Sequence, residues 1–248
     1  MKFVTFSFDD GEVFDERLCD LFRKYSLKAS FALRSNCCGL HGDIFNADGS
    51  FFRHYDIIGK EDIARIYSGF EICSHGANHS GFAGKTIAEL KQEIYPDLAL
   101  FEKLTGNKVI GAVYPGGAYD GKAIENLKEI GIKFCRTIPD GTYNFSVPSE
   151  WECWVPTCHF QDENIFGVID RFASLPEKSD AILHIFGHSY EFEYKDRDWW
   201  GVAEKICRKV KNLENVRYAT LGEIYHYFHG KDEQCEKKLS KIFVQTKL

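Results

Sequence analysis

Two adjacent carboxylates follow the first strand that this sequence predicts. Phe3 to Phe8 is a run of β-branched and aromatic residues, typical of a buried strand, and Asp9, Asp10 and Gly11 come directly after it. Neighbouring acids repel each other and are costly to remove from water, so the pair indicates a nearby cation or a shared proton. An ordinary polar turn is the alternative, because Asp and Gly are common turn residues.

Two histidines four residues apart follow another predicted strand, residues 70–75. If one turn of helix connects His75 to His79, both rings point into one cavity. With a carboxylate from Asp9 or Asp10 they form a two-histidine, one-carboxylate set, which leaves coordination positions open for water and substrate. A lone H-x-x-x-H pattern also fits a solvated helix face. The prediction of a catalytic metal site therefore depends on the acids and the histidines together.

Both segments resemble motifs of a known family. Ser7 to Gly11 is similar to the first motif, and Glu71 to His79 to the second, of the polysaccharide deacetylases (NodB-homology domain, carbohydrate esterase family 4). The resemblance extends over nearly the whole chain. It implies an α/β fold, a distorted and incomplete (β/α) barrel with its site at the C-terminal ends of the strands. It also implies one catalytic domain over residues 1–248.

The resemblance assigns roles to the acids and histidines. It implies that Asp10, His75 and His79 bind a divalent metal, most often Zn²⁺ in this family, with Co²⁺, Ni²⁺ or Mn²⁺ as other candidates. Asp9 is then the general base that takes a proton from the attacking water. One acid on the metal and its neighbour free is also how two adjacent aspartates both remain ionised.

The third family motif is altered in this chain. Residues 113–117 read Val-Tyr-Pro-Gly-Gly, and the resemblance implies that the Gly116 N–H stabilises the oxyanion. The arginine that holds the catalytic aspartate in the family is absent from this motif. Arg136, at the end of a predicted strand (134–138), is our candidate for its replacement, with an ordinary surface arginine as the alternative. Tyr114 is a candidate substrate-binding residue.

A histidine near the last strands is expected to act as the general acid. The strand predicted over 181–186 contains His184, and His188 follows Gly187. We favour His188, because it lies at the C-terminal end where the metal motifs lie, and keep His184 as the second candidate. A hydrogen-bonded core histidine is the alternative for His184. Tyr190 and Trp199 are candidates for stacking on sugar rings, although packing at the rim explains them equally well.

These residues predict a metal-dependent hydrolase that removes an acetyl group, first of all an N-acetyl group, from an amino sugar in an oligosaccharide, glycoconjugate or polysaccharide. Hydrolysis of a small non-sugar amide and a catalytically silent carbohydrate-binding protein are the alternatives. The altered third motif and the lack of a visible secretion signal favour small or intracellular substrates, and a cytoplasmic location is expected. The oligomeric state is left open.

Composition narrows the class of protein. The 248 residues carry a formal net charge of −6, which argues against a nucleic-acid binder, and no apolar stretch is long enough to span a bilayer. The nine cysteines are odd in number and form no C-x-x-C pair, which favours free, buried thiols over a disulfide scaffold.

Short apolar strands alternate with helical segments, which predicts a mostly parallel sheet. A glycine- and aspartate-rich excursion, a small hairpin or a loop, is expected over 39–49. The tail past Gly230 is polar and is predicted to form at most a loose helix. Further strands are predicted over 28–33, 109–114 and 216–219, and helices over 14–25, 61–67, 87–105, 123–130, 203–211 and around Leu221 to Tyr225.

Overall fold

The computed structural model describes residues 1–230, and the predicted terminal segment beyond Gly230 lies outside them. The strands are β1 Lys2–Asp9, β2 Ala29–Leu33, β3 His41–Phe45, β4 Phe51–Asp56, β5 Glu71–Ser74, β6 Gly111–Val113, β7 Phe134–Arg136, β8 Cys158–His159, β9 Ala181–His188 and β10 Val216–Tyr218. The helices are α1 Asp15–Lys24, α2 Lys60–Ile66, α3 Ile87–Thr105, α4 Gly121–Ile130, α5 Ile165–Ala173, α6 Trp199–Lys211 and α7 over 221–230.

Eight strands form one parallel sheet that curls into an incomplete barrel surrounded by helices. Their order is β7-β6-β5-β2-β1-β9-β8, and β10 pairs with the first residues of β1. The predicted incomplete (β/α) barrel is therefore confirmed. Because all these strands run in one direction, their C-terminal ends share one edge, where residues from distant parts of the sequence meet.

Strand β1 lies at the centre of the sheet and separates the core from the site. Phe6 and Phe8 pack against Phe22 of α1, with ring centroids 4.9 and 5.9 Å apart. Because side chains alternate along a strand, Ser7 and Asp9 lie on the other face, inside the barrel. The apolar residues thus anchor the strand, while its polar residues lie where chemistry is possible.

The segment after β2 is the hairpin β3–β4, whose strands pair antiparallel. This confirms the hairpin option of the predicted excursion. The hairpin is tied back to the end of β1, because the Val13 N–H donates to the carbonyl of Asp56 at 2.9 Å. The hairpin exposes aromatic side chains, among them Phe45, Phe51 and Phe52.

Several predicted boundaries differ from the structure. Strand β9 continues through Gly187 to His188, because Phe8 and Asp9 of β1 pair with these two residues. Helix α6 begins at Trp199 rather than at Ala203, and the Asp198 side chain caps it by accepting the Gly201 N–H. Strand β8 and helix α5 lie in a region, 139–180, for which no element was predicted.

The eight cysteines within residues 1–230 are all free, as the sequence predicts for them. None of the helices in this part of the chain is long and apolar enough to cross a membrane.

Candidate functional site

Asp10, His75 and His79 meet at the C-terminal edge of the sheet. Asp10 Oδ1 lies 3.6 Å from His75 Nε2 and 3.5 Å from His79 Nε2. The Nδ1 atom of His75 is hydrogen-bonded to the carbonyl of Val113 at 3.0 Å, which fixes its ring and leaves Nε2 facing Asp10. One carboxylate oxygen and two imidazole nitrogens thus converge on one point.

Asp10, His75 and His79, called the trio below, have the chemistry that a divalent metal site requires. Asp10 Oδ1 is buried and accepts no hydrogen bond from residues 1–230, which is costly for a charged oxygen unless a cation neutralises it. Burial lowers the pKa of His75 to about 4, so the ring is neutral and offers a lone pair. Burial opposes the charged form of Asp10, but Arg34 and His75, which becomes charged at the acidic pH where Asp10 titrates, outweigh burial and lower the pKa of the carboxyl group. The donors are therefore in the ionisation states that a metal requires.

A tight turn, rather than the predicted turn of helix, connects the two histidines. The His79 N–H donates to the carbonyl of Gly76 at 2.8 Å, and His79 itself adopts a left-handed backbone with φ of 57°. Glu93 of α3 holds this turn, because its side chain accepts hydrogen bonds from the backbone and side-chain N–H groups of Asn78. The two rings end 4.8 Å apart, which is the convergence that helical spacing was expected to provide.

Asp9 lies inside the barrel between two basic groups. Arg136, at the end of β7, is buried and donates from Nη2 to Asp9 Oδ1. The other carboxylate oxygen, Oδ2, lies 3.9 Å from His188 Nε2. The surface alternative for Arg136 is thus excluded by its burial, and its predicted role in holding Asp9 remains a prediction that this geometry supports.

Glu191 lies on the side of the His188 ring that faces away from Asp9. Its Oε2 atom is 3.3 Å from His188 Nδ1 and accepts the backbone N–H of His188 at 2.9 Å. Burial opposes a charged imidazole, but Glu191 and Asp9 outweigh it and raise the pKa of His188 to about 9. His188 is therefore protonated near neutral pH, with Nε2 directed toward Asp9. This is the state that a general acid needs.

The structure does not bring His184, the second candidate acid, to this edge. Its Cα pairs with that of Thr5, four residues before Asp9 on β1, and its Nε2 is hydrogen-bonded to Ser7 Oγ at 2.8 Å. Burial lowers the pKa of His184 well below its usual value, so the ring stays neutral. These are the surroundings of a hydrogen-bonded core histidine, the alternative for this position.

Gly116 lies in a short turn after β6, exposed, with φ of 66°. A side chain at this position would point into open space, so the glycine serves the backbone conformation rather than a close contact. The turn follows β6 at the same edge as the trio. Its position is consistent with the predicted N–H donor.

Of the three predicted substrate-binding side chains, only Tyr190 lies beside the site, with its ring centroid 5.1 Å from that of His188. Tyr114 is buried, and its hydroxyl donates to the carbonyl of Glu152 at 2.6 Å. Trp199 is also buried, and its ring packs edge-on against Phe160. Neither side chain is presented to a substrate, because both complete the apolar core.

Three residues at this edge were missed from the sequence. Arg34 follows β2 and lies with Nε 3.5 Å from Asp10 Oδ1, a position that its strand-end location would have indicated. Glu191 comes three residues after His188, the spacing of a capping box, and its Oε2 accepts the backbone N–H of His188 at 2.9 Å. Arg53 of β4 stacks on the Tyr190 ring at 3.5 Å and pairs with Glu12, and no local signal predicts this contact.

Comparisons with known proteins place the chain in a family. The profile described as polysaccharide deacetylase matches residues 1–135. A search of curated protein sequences found no match. Solved structures with a similar fold include a family 4 acetyl xylan esterase from Clostridium thermocellum in complex with cobalt, at 18% identity and a TM-score of 0.56, covering 91% of both chains.

Two further structures show the same fold. A protein of Mycobacterium smegmatis that is assigned to the polysaccharide deacetylases has 14% identity and a TM-score of 0.62, covering 93% of this chain and 91% of that one. A mutant of the peptidoglycan deacetylase PdaC of Bacillus subtilis has 14% identity and a TM-score of 0.55, covering 95% of this chain and 96% of that one. The fold, together with the family profile, leads to one conclusion: this chain belongs to the polysaccharide deacetylase family.

Proposed function

We propose that this protein is a metal-dependent hydrolase that removes an acetyl group from an amino sugar in an oligosaccharide, glycoconjugate or polysaccharide. An N-acetyl group is the first candidate. The observation that carries the proposal is the arrangement around Asp9. This carboxylate lies between buried Arg136 and the His188 ring, next in the chain to Asp10, which faces His75 and His79. A base, an acid and a set of metal ligands therefore occupy one edge of the sheet.

Asp10, His75 and His79 are the residues that would hold the metal, with Zn²⁺ as the first candidate. A divalent cation there would supply Lewis acidity, which polarises the acyl carbonyl and lowers the pKa of the attacking water. Asp9 takes the proton from that water as its oxygen attacks the carbonyl carbon. Arg136 holds Asp9 in place for this step, because its Nη2 donates a hydrogen bond to Asp9 Oδ1.

The remaining steps use His188 and Gly116. As the tetrahedral species forms, the Gly116 N–H donates a hydrogen bond to its negatively charged oxygen. The bond from the carbonyl carbon to the sugar nitrogen then breaks, and His188 gives its Nε2 proton to the leaving amine. Acetic acid, which releases its proton to water and becomes acetate, and the free amino sugar are the products. Transfer of the proton from Asp9 to His188, whose Nε2 lies 3.9 Å from Asp9 Oδ2, restores the starting state.

Membership of the family supports an acetylated sugar as the substrate. Which sugar it is, and how the acetyl group is linked, are part of the proposal. The similar structures include an acetyl xylan esterase and a peptidoglycan deacetylase, so the fold accommodates polysaccharides with acyl groups of different linkage. The exposed aromatic side chains of the β3–β4 hairpin and Tyr190 beside His188 offer ring faces of the kind that stack on sugars.

Acetate release tests the proposal. The purified protein, stripped of metal and supplied with Zn²⁺, Co²⁺, Ni²⁺ or Mn²⁺ in turn, would be incubated with N-acetylglucosamine oligomers, acetylated xylan and N-acetylated amino acids. We expect acetate from the oligomers with at least one metal, and its loss in Asp9→Asn and Asp10→Asn. Asp20→Asn, which alters an exposed acid of α1, is the matched control and should remain active.

The other outcomes separate the alternatives. Acetate from the acetylated amino acids alone would favour a small-amide hydrolase and refute the sugar substrate. If every substrate fails with every metal while the oligomers still bind, the protein is a carbohydrate-binding protein without activity.

A further inference from the structure

His159 lies at the end of β8 and is linked to His188 through Glu191. Its Nε2 atom is 2.9 Å from Glu191 Oε2, the same oxygen that accepts the backbone N–H of His188 and faces His188 Nδ1. The three side chains are partly exposed, and they place two imidazoles on either side of one carboxylate oxygen. The sequence offered no motif around His159.

The hydrogen-bond partners of His159 determine where its proton lies. Its Nδ1 accepts the backbone N–H of Gln161 at 3.2 Å, so Nδ1 is unprotonated in this arrangement. A neutral ring must then carry its proton on Nε2, and this N–H donates to Glu191. His159 is thereby a donor with a fixed direction, because its partner on the far side is a backbone group of a neighbouring residue.

The surrounding residues hold the His159 ring in place. It packs between Phe160 and Phe186, each with its ring centroid 4.9 Å away. Gly187 makes room for it, since a Cβ at that position would lie 2.3 Å from Phe160 and 3.2 Å from His159 Nε2. Strand β9 therefore accommodates the ring one residue before the proposed acid.

The same logic extends to His188. With two N–H donors on Glu191 Oε2, from His159 and from the His188 backbone, the carboxylate is fixed beside His188 Nδ1. Because Oε2 is an acceptor 3.3 Å from Nδ1, a proton on Nδ1 of the neutral ring would face it, while Nε2 faces Asp9 and is the nitrogen that exchanges protons in the proposed reaction.

We propose that His159 is a positioning residue, which acts through Glu191 to set the tautomer and orientation of His188. The role of His188 as the acid rests on the proposed function, whereas the link from His159 to the His188 tautomer does not. Besides Glu191, the charged groups that face His188 are Asp9 at the end of β1 and Asp10 directly after it, and Arg53 of the hairpin stacks on the adjacent Tyr190.

The experiment compares His159→Gln with His159→Leu in the full-length protein. A glutamine side chain carries an N–H that donates to Glu191, whereas leucine has none. Protein labelled with ¹⁵N in histidine would report tautomer and pKa of His188 by NMR, with His188→Gln identifying its signals. His54→Gln, which disrupts an exposed histidine–aspartate pair on the hairpin, is the matched control.

For wild type and His159→Gln we expect His188 to be protonated on Nδ1 when neutral. For His159→Leu we expect a mixture of tautomers and a downward shift of the His188 pKa by about one unit. Because the protonated fraction of His188 at pH 8 then falls from about 90% to about 50%, acetate-release kcat at pH 8 should fall by about twofold with KM little changed. His54→Gln should match wild type throughout.

Three results would overturn the proposal. One is an unchanged His188 tautomer and pKa in His159→Leu. A second is an equal loss in both His159 variants together with a lowered melting temperature, which means that the ring only supports packing. A third is Zn²⁺ binding that persists in Asp10→Asn/His75→Ala/His79→Ala and disappears with His159→Leu, since His159, His188 and Glu191 would then form a metal site. If no substrate is ever hydrolysed, the proposed function is refuted. The NMR comparison still tests whether His159 acts on His188 through Glu191.

Discussion

Replacing Glu191 by glutamine tests the assignment of the general acid. The Glu191 carboxylate is the nearest negative charge to His188 Nδ1, at 3.3 Å, and it helps to raise the pKa of His188 to about 9. Glutamine retains the size of the side chain and one oxygen acceptor, but removes the charge. The protonated form of His188 therefore loses its main stabilisation, and its pKa falls toward the ordinary histidine value.

The size of the effect follows from the titration of one group. With a pKa of about 9, His188 is about 90% protonated at pH 8, whereas with an ordinary value near 6.5 it is about 3% protonated. Activity at pH 8 should thus fall by about 30-fold, with Asp9 and Asp10 making this an upper estimate, and by less than about twofold at pH 6. Because the pKa of the acid falls, the alkaline limb of the pH profile of kcat moves to lower pH.

The measurement is kcat for acetate release between pH 5 and 10, with the metal held at saturation. Glu193→Gln is the matched control, because this carboxylate lies on the same turn but accepts from Trp200 Nε1. A uniform loss across the whole pH range would show that Glu191 matters for structure alone. An unmoved alkaline limb would refute the assignment of His188 as the acid.

Three further outcomes are expected. Arg136→Met leaves buried Asp9 without its cation, so urea unfolding should show a loss of about 3–5 kcal/mol, which Asp9→Asn in the same chain should largely restore; an unchanged stability would contradict the buried pair. His184→Gln should lower the melting temperature more than kcat, and His188→Gln should do the reverse, so a larger kcat loss at 184 would transfer the acid role to His184. Burial raises the pKa of Asp15 to about 7, above its unfolded value near 4, so this group favours the folded state below pH 4 and that contribution is lost as pH rises through 7; Asp15→Asn should abolish this slope in the free energy of unfolding, and a slope equal to that of wild type would refute it.

The sequence alone was sufficient to predict which residues at the ends of strands meet at the site. Asp9, Asp10 and His75 follow apolar runs of β-branched and aromatic residues, and parallel strands bring their C-terminal ends to one edge irrespective of what separates them in the chain. Long amphipathic helices were also well defined, and α3 has the predicted bounds because Thr86 caps its start and Gly106 ends it.

The sequence could not predict very short elements or contacts between residues that are far apart in the chain. Strand β8 has two residues, too few for any periodicity, and yet it carries His159. Gly187 indicated the end of a strand, but the ladder with β1 keeps it extended, which is a tertiary effect. Tyr114 and Trp199 illustrate the same limit, since an aromatic side chain near a motif has no sequence feature that separates packing from substrate contact.

The backbone at the end of β1 explains how two adjacent acids perform different tasks. Asp9 keeps the extended conformation and so continues the alternation that directs Ser7 and Asp9 into the barrel, toward Arg136. Asp10 and Gly11 both have left-handed backbones, with φ of 82° and 71°, and this reversal directs Asp10 toward His75 and His79.

A left-handed conformation costs a residue other than glycine about 1 kcal/mol or more, and aspartate is among the side chains that tolerate it best. Gly11 is required for a second reason, since a Cβ there would lie 2.9 Å from Leu33 Cδ2. The separation of the base from the metal ligand is therefore a property of two backbone torsions, which the Asp-Asp-Gly sequence permits and which a β-branched residue at either position after Asp9 would disfavour.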